Sequence, residues 1–320
     1  MLKFSTFLAV PLVLVTLCFS GSSSRAQTQT DNSGVPVTTV VTVLGPKFTA
    51  PPPLTKEDII VFEGKNRLKV TGWTQTQGEK GSLQLALLID NSVGTTTLGT
   101  QFNDLIGFIN SQPKSTAVGI FYAMNGTVQT ASNFDRNHEA VAKKLRLTLG
   151  RSAGESPSIY LSLADLIKNH WPASPGVRRE ALVISSGIDR LNPGVQDPYF
   201  DSTLDTVQRA GVVVHTIYAG STRFGASFRG DISQGKLVQL TTESGGQGFF
   251  EAFSTPISFG PYLNQLDMVL RNQYLLTFIV PPSKDRKGEL RPIKIRTEQH
   301  EAQISAPSQV FVPGPEKPEK

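Results

Sequence analysis

Cysteine is nearly absent: Cys18 is the single one in the chain, and it lies within a segment that reads as a removable leader. Neither disulfides nor thiol catalysis are then available to what remains. Histidine is scarce as well. His138, His170, His215 and His300 are scattered, no two stand at metal-ligand spacing, and His215 sits in an apolar run that reads as core. No dense Lys/Arg run interleaved with aromatics occurs, which excludes nucleic acid as the expected partner. No apolar run is long enough to cross a bilayer either. Phe7 to Phe19 extends for about a dozen residues, short of the roughly 18 that a spanning helix needs.

With Lys3 ahead of that run and small residues Ser24 and Ala26 behind it, residues 1–26 read as a secretory signal and the mature chain as starting near Gln27. Leu17, directly before Cys18, is not the small residue that lipid attachment requires. Removing Lys3 and Arg25 lowers the formal charge from +5 to +3, a mild excess. The expected location is the periplasm or the medium.

After this leader come two kinds of pattern. Residues 27–78 hold "VPVTTVVTVLG", a proline break at Ala50 to Leu54, and two short strands, Ile59 to Phe62 and Arg67 to Thr71, around a turn at Glu63 to Asn66. From residue 79 to 273 short apolar runs alternate with helical spacing. The runs are "LQLALLI", "TAVGIFYA", "EALVIS" and "GVVVHTIYA". The helices are expected at Leu98–Ile109, Asn137–Leu147, Ile159–Asn169, Ser202–Ala210, Lys236–Glu243 and Pro261–Asn272. Continuous apolar runs of this length are strands buried on both faces of a parallel sheet. The expected fold class is therefore α/β: a doubly wound, mostly parallel sheet with helices on both faces. Residues 274–313 return to strands ("QYLLTFIV", "LRPIKIRT", Gln309 to Val312), expected to pack with the N-terminal segment as a small β subdomain. Residues 314–320 form a charged, proline-rich tail that reads as disordered.

The first apolar run ends abruptly in "DNSVGTTT", Asp90 to Thr97. In a doubly wound sheet this is the carboxyl edge, where ligands bind. A carboxylate and a hydroxyl delivered there fit a cation site, and they fit equally a turn that satisfies its own backbone and starts the next helix.

At these residues the chain resembles a von Willebrand factor type A domain, of the exported bacterial kind common in acidobacteria. "LTKEDIIVFEGKNRLKV" resembles that group's entry segment and "LRNQYLLTFIVPPSKDRKGELRPIKIR" its exit, and the likeness covers roughly Val37 to Pro313. The resemblance implies a divalent-cation site, called MIDAS, built from an Asp-x-Ser-x-Ser turn, a threonine and a second aspartate. It also implies a partner's carboxylate completing the coordination of Mg²⁺ or Mn²⁺. Asp90 and Ser92 match the first two positions, but Gly94 replaces the second serine, with Thr95 one residue late. Pro157 falls at the threonine position, flanked by Ser156 and Ser158. Ser186 stands where the second aspartate belongs, and Asp189 matches a less critical acidic position. One carboxylate in place of two weakens any Mg²⁺ site, because ligand charge sets affinity. The expectation is a degenerate site without a resident ion.

"GESPS", Gly154 to Ser158, lacks the second glycine of a nucleophile elbow and no strand precedes it, so a hydrolase is disfavoured. Arg223, Phe224, Phe228 and Arg229 crowd a glycine-rich insert, Gly220 to Gly235, at the same edge. Such side chains on a scaffolded loop are suited to anchoring a partner. The expected role is a non-enzymatic, protein-binding module. The alternative is a periplasmic scaffold whose β subdomain makes the contacts.

Overall fold

The structure is a computed structural model and describes residues 34–77, 81–148, 157–192, 194–220, 228–251 and 255–315. The chain begins with β1 (Val35–Leu44), β2 (Ile59–Glu63) and β3 (Asn66–Gln75). Then follow β4 (Leu83–Asp90), α1 (Thr95–Ser111), β5 (Thr116–Met124), β6 (Thr127–Asp135), α2 (His138–Ala142) and α3 (Ile159–Asp165), the last prolonged by a π-helical stretch, Leu166–His170. Next come β7 (Arg178–Ser185), α4 (Pro198–Ala210), β8 (Val212–Tyr218), α5 (Phe228–Ser244), β9 (Gly248–Phe249) and α6 (Gly260–Arg271). The exit strands are β10 (Gln273–Val280), β11 (Glu289–Pro292), β12 (Lys294–Thr297), β13 (Gln303–Ser305) and β14 (Gln309–Val312).

The apolar runs form the expected sheet. Its order is β6-β5-β4-β7-β8-β9, with every neighbouring pair parallel except β5 and β6. Alternation along β4 separates its side chains. Leu85, Leu87 and Ile89 face α1, α2 and α6, while Ala86 and Leu88 face α3, α4 and α5. This double covering is why the strands are apolar throughout. Edge strand β6, "TVQTASNFD", was not foreseen, because its polar residues mask the alternation and two register shifts interrupt its pairing with β5.

Several elements differ from expectation. The helix awaited over Asn137–Leu147 stops at Ala142, and the chain then bends so that the Tyr122 hydroxyl donates to the Arg146 carbonyl (2.5 Å) and accepts from the Arg146 N–H (2.7 Å). Helix α5 starts at Phe228, well before Lys236, with Gly230 and Gly235 inside it. Packing of Leu237 and Leu240 into the core outweighs the poor propensity of those glycines. "LRPIKIRT" is two strands. Pro292 lacks the N–H that a continuous ladder requires, so β11 pairs with β14 and β12 with β2. The short strand β13 adds an element that the sequence pattern did not indicate.

The flanking strands assemble a second, antiparallel sheet, β12-β2-β3-β10-β1-β13, with the β11–β14 ribbon beside it. It has as many strands as the α/β sheet, so the β portion is larger than a minor appendage. Val41, Val61, Leu276 and Phe278 lead its own core.

A buried polar cluster joins the two sheets. The wholly buried Glu180 carboxylate, on β7, accepts from Arg178 Nη1 (2.8 Å), from His215 Nε2 (2.8 Å) and from Gln273 Nε2 (3.0 Å), the last on β10. His215 Nδ1 accepts the Gln247 N–H (3.0 Å), which assigns the ring proton to Nε2. Burial alone pushes the Glu180 carboxyl up, but the His215 hydrogen bond and the Arg178 charge override it and hold the group below its ordinary value.

Glu180→Ala is expected to cost about 3–5 kcal/mol in urea unfolding, since Arg178 is left buried without its counter-charge. The depressed Glu180 carboxyl contributes stability that is fully present above its ordinary value of 4.5. That contribution is lost as pH falls through the lower, folded-state value. The urea midpoint of the native chain should therefore drop more steeply below pH 4.5 than that of Glu180→Gln.

Candidate functional site

Strand β4 connects outward to β5 on one side and β7 lies on the other, so chain direction reverses between their carboxyl ends, the place where such sheets form a crevice. Asp90 ends β4 and Ser185 ends β7. The Ser185 hydroxyl donates to Asp90 Oδ2 (2.6 Å) and accepts the Gly187 N–H (2.9 Å). The Ser92 N–H donates to Asp90 Oδ1 (2.9 Å). Asp90 is buried, and burial raises its carboxyl against the opposing hydrogen bonds from Ser185 and Ser92. Beside it, Asn91 Oδ1 is buried without a hydrogen-bond partner.

Gly94 takes the N-cap position of α1 and supplies no side-chain cap. Thr95 instead donates its hydroxyl to the Thr148 carbonyl (2.6 Å), and Thr148 donates to the Val93 carbonyl (2.6 Å). These two bonds bind the turn to the segment after α2. Ser158 caps α3 by accepting the Leu161 N–H (3.3 Å) and donates to Asp189 Oδ2 (2.6 Å). Asp189 Oδ1 accepts from the N–H groups of Leu191 and Asn192. Ser186 accepts the Ile188 N–H at 3.4 Å and stays within its own loop. Gly187, at φ +68°, is required here because a Cβ would meet Leu237 Cγ and the Ser233 carbonyl at 2.7 Å.

Several residues at this edge escaped sequence reasoning, Ser185 as the partner of Asp90 among them. Asp197 caps α4 through the Tyr199 and Phe200 N–H groups, and its Oδ2 accepts Lys236 Nζ at 2.6 Å, both side chains being almost wholly buried. Asp-Pro at 197–198 is a helix-start signature that could have revealed the cap. Its partner on α5 left no local signal. Burial raises the Asp197 carboxyl, but the bonds from Lys236 and Phe200 prevail and hold it low. Tyr160 donates to the Gly187 carbonyl (3.2 Å), and burial together with Asp189, Asp197 and Asp90 pushes its phenol well above the usual range.

Among the described residues the Asp90, Ser185, Thr95 and Ser158 oxygens at this edge are engaged within the protein. Mg²⁺ requires about six oxygens, charged ones foremost. Asp90 offers the single carboxylate of the turn, with each of its oxygens already bonded to the protein, and the Thr95 and Ser158 hydroxyls are committed to other acceptors. Among the described residues no three His, Cys, Asp or Glu side chains converge in a way that could hold a metal. Ser156, Arg223 and Phe224 lie outside the described residues. Phe228 and Arg229 begin helix α5, so the expected anchoring loop is helical from residue 228 onward.

No protein-family model matches the chain, and no curated protein matches it either. Type A domains are among the solved structures to which it is similar. One is the proximal thread matrix protein 1 from the mussel byssus with zinc occupied MIDAS motif, at 10% identity over 65% of this chain and 48% of that one, TM-score 0.43. Another is the SpRpn10 VWA domain, at 14% identity over 55% and 96%, TM-score 0.33. The pilus adhesin SpaC from Lactobacillus rhamnosus GG is similar at 8% identity over 80% and 48%, TM-score 0.44. At such distances the reading of the site rests on this chain's own geometry.

Asp90→Ala strands the Ser185 hydroxyl and the Ser92 N–H, with an expected loss of about 1–3 kcal/mol in chemical unfolding. Asp90→Asn keeps an acceptor for Ser92 and sheds the buried charge, so it should cost less than Asp90→Ala. Calorimetric titration of the native chain with Mn²⁺ should show no saturable heat.

Proposed function

We propose that this chain is an exported, non-enzymatic protein-binding module that engages its partner through the carboxyl edge of the parallel sheet, without an ion at Asp90. The distribution of exposed large apolar side chains carries this reading. Among the described residues Met124, Leu147, Leu191, Val195, Tyr199 and Ile257 surround that edge, and Val238 is the one elsewhere. Met124 ends β5, while Leu191, Val195 and Tyr199 follow β7. Leu147 adjoins the Tyr122–Arg146 clamp. Ile257 follows Thr255, which donates to the Gly220 carbonyl at the end of β8 (2.6 Å). Ile257 is 90% exposed and Val195 68%, values that leave both largely in water. Apolar groups gathered around one face mark an interaction site.

The hydrogen bonds from Ser185 and Ser92 hold the edge turns rigid, so this surface is preorganised, which lowers the entropy lost on binding. Export rests on the leader pattern of residues 1–26. Among the described residues no helix is long and apolar enough to cross a membrane.

Capture from envelope extract by the immobilised chain tests the proposal. The retained partner should be unaffected by chelator and reduced at least about tenfold by Val195→Asp/Tyr199→Asp. Capture that survives this double change but fails on disrupting the outer strands β12 and β2 would establish the scaffolding alternative. Chelator-sensitive capture would restore a metal-dependent site.

A further inference from the structure

The antiparallel sheet buries one face in its own core; its other face meets the α/β portion around Val40, Leu275 and Thr277 and is open at the far strands. Val61, Leu68 and Phe278 point inward, so the residues alternating with them point out. Register aligns these outward residues across adjacent strands. Lys294 lies opposite Phe62 and Phe62 opposite Arg67; Arg296 lies opposite Ile60, and Lys69 opposite Ile279. Arg67, Lys69, Lys294 and Arg296 are exposed, and Ile60, Phe62 and Ile279 are half-buried.

Two features distinguish this face from an ordinary solvated surface. None of the four cations takes part in an ion pair among the described residues, and no Asp or Glu occupies an outward position on β2, β3, β10 or β12. Of the carboxylates beside these strands, Asp58 is turned back onto the Thr55 N–H and hydroxyl (both 2.8 Å), Glu63 pairs with Arg291 (3.5 Å), and Glu298 lies just past the end of β12. Apolar side chains are interleaved with the cations instead of acids. The patch is also remote from the α/β sheet: Gln273, at one end of β10, holds Glu180, and Ile279 stands six positions along, about 20 Å away at the rise of an extended strand.

We infer that this distal face of the antiparallel sheet docks on an anionic lipid surface. The four cations meet lipid phosphates, and Phe62, Ile60 and Ile279 settle at headgroup level. Charge complementarity favours this occupant, since basic side chains near a negatively charged leaflet each add attraction and interleaved apolar groups convert it to interfacial binding. Nucleic acid would be served better by aromatics spaced for base stacking, which this face lacks. The surface is separate from the carboxyl edge, so its failure leaves the protein-binding reading untouched.

Sedimentation of the full chain with vesicles of phosphatidylglycerol and phosphatidylcholine in equal parts, against phosphatidylcholine alone, tests the inference. Residues 1–26 are the same in every form compared, so the difference between the native chain and the variants on anionic vesicles reports the face. Binding to the anionic vesicles should exceed that to neutral ones, fall with added salt, and drop by up to about a thousandfold in Arg67→Gln/Lys69→Gln/Lys294→Gln/Arg296→Gln. Lys114→Gln/Lys168→Gln, which alters exposed lysines elsewhere, should bind like the native chain, and unchanged thermal melts should accompany both variants. Equal binding to the two vesicle types, or undiminished binding by the fourfold variant, would overturn the inference. So would retention on duplex DNA or heparin without vesicle binding, which would assign the face to a soluble polyanion. Absence of binding to any of these would leave the lysines and arginines as guards against edge pairing at β12.

Discussion

A carboxylate with no access to water holds the two sheets of this protein together. Glu180 stands at the base of the parallel sheet, and the groups that answer its charge come from three directions: Arg178 from its own strand, His215 from the neighbouring one, and Gln273 from the first residue of the antiparallel sheet's central strand. Burying an uncompensated charge is among the largest penalties a fold can incur, so these partners constrain one another's positions. Gln273 also donates to Thr42 on β1 (3.3 Å), which carries the network into the entry strand. The orientation of the antiparallel sheet on the α/β sheet is thus specified by hydrogen-bond geometry, where apolar packing alone would tolerate sliding.

At the opposite end of the same strands a second buried carboxylate is answered differently. Asp90 is satisfied by a serine hydroxyl from β7 and a backbone N–H of its own turn. Its charge is answered by neutral donors alone. The edge is a set of interlocked turns, Asp90 to Ser185, Thr95 to Thr148 and Ser158 to Asp189, each joining loops distant in sequence. Around this rigid centre lie the exposed apolar side chains.

Much of this was legible from residues alone, for identifiable reasons. Strands such as Leu83–Asp90 are buried on both faces and betray themselves as unbroken apolar runs. Strand β6 is polar at an edge and does not show its period, and α5 shows it only from Lys236 onward, its first half carrying two glycines. Asp90 was legible as the centre of the site, but its partner was not. Two serines follow one another at 185 and 186, and strand pleat decides which one reaches across. Ile89 is in register with Ile184, so Asp90 and Ser185 are the next neighbours along, while Ser186 leaves the strand. The Asp197–Lys236 pair was beyond reach because two helices must first pack before the charges meet. The antiparallel sheet was foreseen as a union of both flanks, but the splitting of its last long strand at Pro292 depended on which neighbour each half found.

The order of strands has a mechanical consequence. Val35 of the entry strand lies opposite Val280 of β10, and Gly314 packs against the backbone at Asp285 and Arg286, just beyond that same strand end. Both ends of the described chain therefore emerge at the far tip of the antiparallel sheet, with the entire α/β portion spliced between β3 and β10. Tension applied across those ends meets the antiparallel strands directly at β1, and at the other end reaches the spliced portion through β14, whose Gln309 and Phe311 lie against Gln208 and Arg209 of α4.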